Sequence, residues 1–343
     1  MRAAAGADHG PPPLIPLKRR DRGLGNGTSP EMRIEYHRSL IADAGRLQAF
    51  ERALAKVIRK GESVVADIGT GTGVLAMIAA KLGARKVIAY EFAEIGALAA
   101  RLAKLNKLRN IELIPMRSTE IIEPAQADIV VSETLGNYAL EEFLVETMND
   151  AKARHLKPGG VLIPGRLEQV VAPVIAPRCR DELVAWERIG RGLDFGPASV
   201  MGLNNAYVRA FAPSELLDGG RTAVTWDRLD FHVRNRFARK GKAEWKIAEP
   251  IVVHGLAVWW SAELAPGVVL STSPMAAPTH WEQLFLPALE PISLAAGETL
   301  DIEVRSRSSE EGGTDLAWSF RVHTAKGKQR LAQNLSLEKG FLP

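Results

Sequence analysis

Cysteine is almost missing from this 343-residue chain. Cys179 stands alone, which excludes an intrachain disulfide and any thiolate metal cluster and points to a reducing compartment, the cytoplasm. Long apolar runs are also missing. No stretch approaches the ~20 residues that span a bilayer, and MRAAAGADHGPPPLIP has no hydrophobic segment of signal-peptide type, so the expectation is a soluble protein without a membrane partner. The excess of positive charge is thin, +4 formally, with no Lys/Arg tract of the sort that argues for nucleic acid. The histidines show neither HExxH nor another ligand spacing, so no metal site is expected. What the chain does have is apolar material, 46% of residues, enough for one large domain or two ordinary ones.

The stretch from Val64 to Gly73, VVADIGTGTG, organises the rest. An apolar run ends in Asp67, and a turn with Gly69, Gly71 and Gly73 opens into VLAMIAAKLG. A strand running into a glycine turn and a helix presents backbone N–H groups at the carboxyl edge of a parallel sheet, where an open α/β fold binds its ligand.

Residues 1–30, rich in Gly, Pro and Ala, read as a flexible arm. From Glu31 to Arg59 the pattern is helical, with Asp43 and Arg46 on one face. Lys86–Glu91, Ile111–Met116 and Ala127–Ser132 read as strands, and Glu94–Lys107 and Leu140–Leu156 as helices. Lys157, Pro158, Gly159 and Gly160 close the last helix before the strand VLIP. This alternation predicts a doubly wound, largely parallel sheet over 31–165. From 166 to 343 the texture is mainly antiparallel β, a sandwich or barrel with a partly helical piece at about 180–217. Leu300, Ile302 and Val304 alternate with polar neighbours, as do Trp318, Phe320 and Val322.

The glycine spacing is GxGxG, which is not the phosphate loop, and no lysine follows that would serve ATP or GTP. Glu91, ending the second strand, is placed for a ribose diol, as in NAD and S-adenosylmethionine sites, and Glu120 for an adenine amino group. Arg46 suits a free carboxylate; S-adenosylmethionine has such a tail and NAD lacks it. A dehydrogenase is the weakest reading. After the fourth strand the chain reads SETLGNYALEEFL, and Glu133 and Glu142 facing one pocket repel unless a cation lies between them. A guanidinium, planar and multidentate, fits that place best.

This loop resembles the double-glutamate loop of the protein arginine N-methyltransferases. DIGTGTGVLAMIAAKLGARKV…YE is similar to that family's donor motif, LIADAGR to its N-terminal helix, and STSPMAAPTHWEQ to its threonine-histidine-tryptophan loop. The resemblance covers about residues 36–336. It implies a Rossmann-like methyltransferase domain followed by a β-barrel domain, a dimerisation arm at about 180–217, and a head-to-tail homodimer.

The resemblance further implies S-adenosylmethionine as cofactor and transfer of a methyl group to arginine in a protein or peptide. Holding the guanidinium between Glu133 and Glu142 would leave its third nitrogen better able to attack. His280, oriented by Asp43, would handle protons or keep the acids placed, and Trp281 would wall the acceptor channel beside Asn137. Leu135 and Asn137 stand where the family loop usually has methionine and an aromatic residue. The tyrosine-rich lid is replaced by Met32, Tyr36 and His37. A small guanidine, amine or other metabolite therefore stays open as acceptor, and a noncatalytic binding module as a third reading.

Overall fold

The structure, a computed structural model, describes residues 34–186 and 190–340, so the arm expected at 1–30 and Met32 lie outside the described residues. The N-terminal helical pattern divides into α1 (Ile34–Ala42) and α2 (Ala44–Val57). The break is Asp43, which leaves the helical region at φ −72°, ψ 86° and caps α2 with its carboxylate. Along α2, Ala49 and Ala53, Phe50 and Leu54 pair at four-residue spacing and are buried. Truncating Phe50 to alanine would cost about 3–5 kcal/mol.

Five parallel strands follow: β1 (Val64–Ile68), β2 (Lys86–Tyr90), β3 (Ile111–Ile114), β4 (Ala127–Ser132) and β5 (Leu156–Ile163), in the order β3-β2-β1-β4-β5. The helices α3 (Val74–Lys81), α4 (Ile95–Leu105) and α5 (Leu144–Asp150) lie between them in sequence. Every residue of β1 is buried, as a central parallel strand covered on both faces must be. Strand order reverses between β1 and β4, which opens a crevice at their carboxyl ends. Ile68 pairs with Ser132 there, so Gly69 and Glu133 leave the sheet at adjacent positions.

The helix predicted over Leu140–Leu156 is shorter: α5 starts at Leu144 and gives way to a π turn, Ala151–His155. Its first residues stay in the loop after β4, whose backbone is tied to other partners. Ser308 donates to the Leu140 carbonyl, Gln169 donates to that of Tyr138, and the Glu141 carboxylate accepts from Asn137 N at 2.5 Å. Ala139 and Phe143 accordingly sit at φ 63° and 61°. Lys157–Gly160, expected to precede the strand, bulge within β5: Ala127 pairs with Leu156, and Ile129 with Val161.

The second half holds two antiparallel sheets. One contains β6 (Arg166–Val174), β7 (Tyr207–Arg209), β8 (Val224–Asp230), β10 (Ile251–Ala265), β11 (Val268–Ser271) and β12 (Gln283–Leu294). The other contains β9 (Ala238–Lys246), β13 (Thr299–Ser309), β14 (Gly313–His323) and β15 (Gln329–Ser336). They meet along both margins, which gives the barrel-like closure. At one margin, a Cβ added to Gly241 of β9 would lie 1.8 Å from the Trp226 carbonyl of β8, so only glycine fits. At the other, Trp318 Nε1 donates to Pro287 O at 2.8 Å and Gln333 Oε1 accepts from Leu289 N at 2.7 Å. The alternating residues Leu300, Ile302, Val304, Trp318, Phe320 and Val322 are all buried. Between β6 and β7 lie α6 (Arg178–Leu183) and α7 (Gly196–Leu203), with the Trp186 and Phe195 rings stacked at 5.7 Å.

Candidate active site

The glycine turn holds its shape through positive φ. Gly69, at φ 72°, leaves only 3.0 Å between an added Cβ and Thr134 Cγ2, so the turn after β1 presses on the loop after β4. Gly69 N and Thr70 N both donate to Tyr90 O at 3.0 Å. Glu91 closes the far side, accepting from Gly71 N and Ala93 N at 2.9 Å each. A carboxylate offers about four lone-pair sites, so two remain for a diol. Asp67 is fully buried beneath the turn; burial pushes its pKa up to about 6, against the Thr70 hydroxyl and Ala76 N–H that favour the anion.

Helix α1 brings His37 to the glycine turn. The His37 ring lies 3.8 Å from the Cβ position of Gly71, over the turn. Burial lowers its pKa and the nearby Glu91 charge partly restores it. The helix break at Asp43 turns α1 away from the line of α2. Glu120 ends a short 3-10 turn after β3 and is exposed.

At the end of β4, Glu133 forms an ion pair with Arg46, the two side chains 10% and 4% exposed. A guanidinium of the protein's own thus sits on the first acid of the loop. Glu142 is exposed just before α5, whereas Glu141 turns under the Gly136 bend. Sequence spacing singled out Glu142; Glu141 emerges from the structure as the acid that shapes the loop. Asn137 Oδ1 accepts from Glu282 N at 3.0 Å, and Trp260 Nε1 donates to Gly136 O at 3.1 Å. Trp260 is fully buried in the barrel and also holds the acidic loop.

Asp43 and His280 meet across the two halves. His280 N and Nδ1 lie 2.8 and 2.9 Å from Asp43 Oδ2, and Arg46 N donates to Oδ1 at 2.9 Å. One carboxylate therefore caps α2 and anchors the loop before β12. Burial disfavours the Asp43 anion, but the bonds from Arg46 and His280 outweigh it and hold the carboxyl below its usual range. Burial likewise lowers the His280 pKa, more than Asp43 and Glu133 raise it. A neutral ring donating Nδ1–H to Asp43 keeps its lone pair on Nε2, which is buried and has no partner among the described residues. Trp281 is buried against Trp260 and His280, with ring centroids at 5.0 and 4.0 Å, and Arg46 lies 5.7 Å over its ring. Among the described residues no group of His, Cys, Asp and Glu could hold a metal ion.

The chain is similar to known proteins over most of its length. A family model described as ribosomal protein L11 methyltransferase (PrmA) matches residues 47–175, and one described as arginine methyltransferase oligomerization subdomain matches 209–325. Protein arginine N-methyltransferase 6 of Xenopus tropicalis is 30% identical over 270 residues, covering 74% of this chain and 78% of that relative. Its Danio rerio counterpart is 27% identical over 311 residues, with 87% and 88% covered. A solved structure described as the Trypanosoma brucei PRMT1 enzyme-prozyme heterotetrameric complex with AdoHcy superposes with a TM-score of 0.78 at 25% identity, covering 90% of this chain and 99% of that one. The Arabidopsis thaliana protein arginine methyltransferase 10 shares the fold at a TM-score of 0.75 and 22% identity, with 89% and 98% covered. On the shared length, the site's order along the chain and these matches, the chain belongs to the protein arginine N-methyltransferase family.

Proposed function

We propose that Glu133 and Glu142 grip the guanidinium of an arginine in a protein acceptor while the glycine turn, Glu91 and Arg46 hold S-adenosylmethionine. As a family member the chain is an S-adenosylmethionine-dependent arginine N-methyltransferase. When bound, S-adenosylmethionine supplies a methyl group on a sulfonium. The residues fit it: the Arg46 Nε is buried without a partner among the described residues, suited to an anionic tail, and Glu91 keeps lone pairs for hydroxyls. Asp67, Gly69 and Gly71 would form the floor, and Glu120 the adenine end.

One observation carries the reading of the acids: Glu133 already accepts a guanidinium, that of Arg46. A planar fork bound there localises charge on the bonded nitrogens and leaves the remaining one more nucleophilic. Asp43 would fix the His280 ring, and His280 Nε2 would then accept a proton and, once protonated, could donate to Glu133. Asn137 and Trp281 would set the loop and the wall of the acceptor channel.

The proposed units are a donor domain over 31–165 and a substrate barrel over 166–343. We also infer a homodimer formed by the piece at about 180–217. Leu193 and Val200, 69% and 49% exposed, are its apolar contacts, and a groove between α3 and α4 lined by Met77, Ala100 and Leu108 is the seat on the second copy. The cytoplasmic placement rests on the single, buried thiol Cys179. Incubation with methyl-labelled donor, arginine peptides and a small-molecule extract tests the acceptor. Label on peptide arginine is expected; label only in metabolites would replace the protein acceptor with a small guanidine or amine.

A further inference from the structure

The nine residues entering β9, Arg234 to Lys242 (RNRFARKGK), carry five cations and no acid, a concentration that the small net charge of the whole chain conceals. Three of the five are engaged: Arg239 grips Asp227 at 2.8 Å, and Lys240 and Lys242 reach Glu303 at 3.2 and 3.9 Å. Arg234 and Arg236 are exposed, as is Arg307 on β13, and none of these three makes an ion pair or side-chain hydrogen bond among the described residues. With Asn235, Phe237 and Ala238 they line a depression of about 540 Å³. Asp315 stands opposite Arg307 in the β13–β14 register, yet no ion pair joins them.

Two connections tie this depression to the acidic loop. Asn149 of α5 exchanges two 2.9 Å bonds with the backbone of Asn235. Ser308, next to Arg307, donates to the Leu140 carbonyl. Helix α5 begins just after Glu142, so at ~1.5 Å per residue up to Asn149, plus its contact to Asn235, the depression lies on the order of 15 Å from the acids, a span of four or five extended residues at ~3.3 Å each.

We propose that this depression docks an aspartate- or glutamate-rich segment of the protein acceptor, four or five residues from the arginine to be methylated. The proposal rests on the arginine-methyltransferase reading of the neighbouring site. Three like charges without partners repel one another, and carboxylates relieve that repulsion while matching the planar forks in pairs. Single-stranded nucleic acid would need a stacking platform, and the only aromatic ring here is the half-buried Phe237. Docking also removes a competitor, because an acid near the target would otherwise pair with the very guanidinium that Glu133 and Glu142 must hold.

The test uses two peptides with one arginine, one carrying three aspartates from the fourth residue onward and the other three asparagines. The wild-type enzyme should show a KM roughly three- to tenfold lower for the aspartate peptide, with kcat nearly unchanged, as a few partly exposed charge pairs allow. The variant Arg234→Gln/Arg236→Gln/Arg307→Gln should lose that preference and turn over the asparagine peptide as the wild type does. Lysine at the same three positions should restore part of it. Fluorescence anisotropy with arginine-to-lysine versions of both peptides reads the same contrast without turnover. Equal KM values for the two peptides, or a preference that survives in the glutamine variant, overturn the proposal. So does competition by an RNA oligomer where the aspartate peptide does not bind. Should neither peptide be methylated while the aspartate peptide still binds through the three arginines, the docking surface stands and the arginine reading falls.

Discussion

Arg46, in the first turn of α2, and Glu133, the first residue after β4, are joined in an ion pair that both halves of the crevice bury. The protein's own guanidinium thus occupies the acid proposed for the acceptor. On the proposed roles, donor and acceptor sites would be coupled through one residue: Arg46 turning to the donor's carboxylate would release Glu133 for the substrate. Arg46→Ala should weaken S-adenosylhomocysteine binding by about 10- to 100-fold, the loss of one charged hydrogen-bonded pair. Calorimetry checks this, and an unchanged affinity would remove Arg46 from the donor site.

Asp43 serves α2 and the His280 loop at once, so Asp43→Asn should cost about 2 kcal/mol in chemical denaturation. The wild-type His280 pKa lies below its unfolded value, so its contribution is present above about pH 6.5 and is lost as pH falls through the folded pKa. Without the Asp43 anion the ring should titrate lower still. Imidazole NMR of the two proteins reads this directly; a titration unmoved by the substitution would contradict the pairing.

Asp67 works in the opposite sense. Its folded pKa of about 6 exceeds the unfolded value, so the native state gains a proton first and stability falls as pH rises between about 4 and 6. The difference in unfolding free energy between wild type and Asp67→Asn should shift by roughly 3 kcal/mol over that window. A difference that is flat with pH would mean that Asp67 is not held in an apolar site.

Trp260 holds the bend of the acidic loop through its indole N–H. Trp260→Phe keeps most of the buried volume and removes that bond, so it should cost about 1 kcal/mol of stability and lower kcat while leaving donor affinity intact. Thermal denaturation and donor calorimetry on the one variant separate these effects.

The proposed homodimer predicts a sedimentation change. Leu193→Asp with Val200→Asp should yield monomers, and a wild type that sediments as a monomer would contradict the assignment of the arm.

Much of this was legible in the chain because the signals are local. The apolar run before Gly69 and the strand end at Ser132 fall where periodicity and turn residues place them, the second strand stops at Tyr90, one residue short of Glu91, and β-alternation marks Leu300 to Val304. The helix over Leu140–Leu156 is shortened largely for a nonlocal reason: Ser308 and Gln169 satisfy carbonyls of the loop, and the helical pattern cannot register partners so far along the chain. The placements of His37 and Trp260 are hidden for the same cause, since they exist only once α1 folds over the turn and the barrel meets the loop. The pairing of Arg46 with Glu133 joins residues that spacing had assigned to different ligands.

The most direct test of the two-acid grip is Glu142→Gln, set beside Glu141→Gln. The account predicts that Glu142→Gln binds S-adenosylhomocysteine within about threefold of wild type while kcat on an arginine peptide falls by about 100-fold, the usual loss when one electrostatic stabiliser is removed. Full turnover by Glu142→Gln would contradict it, whether or not Glu141→Gln proved inactive.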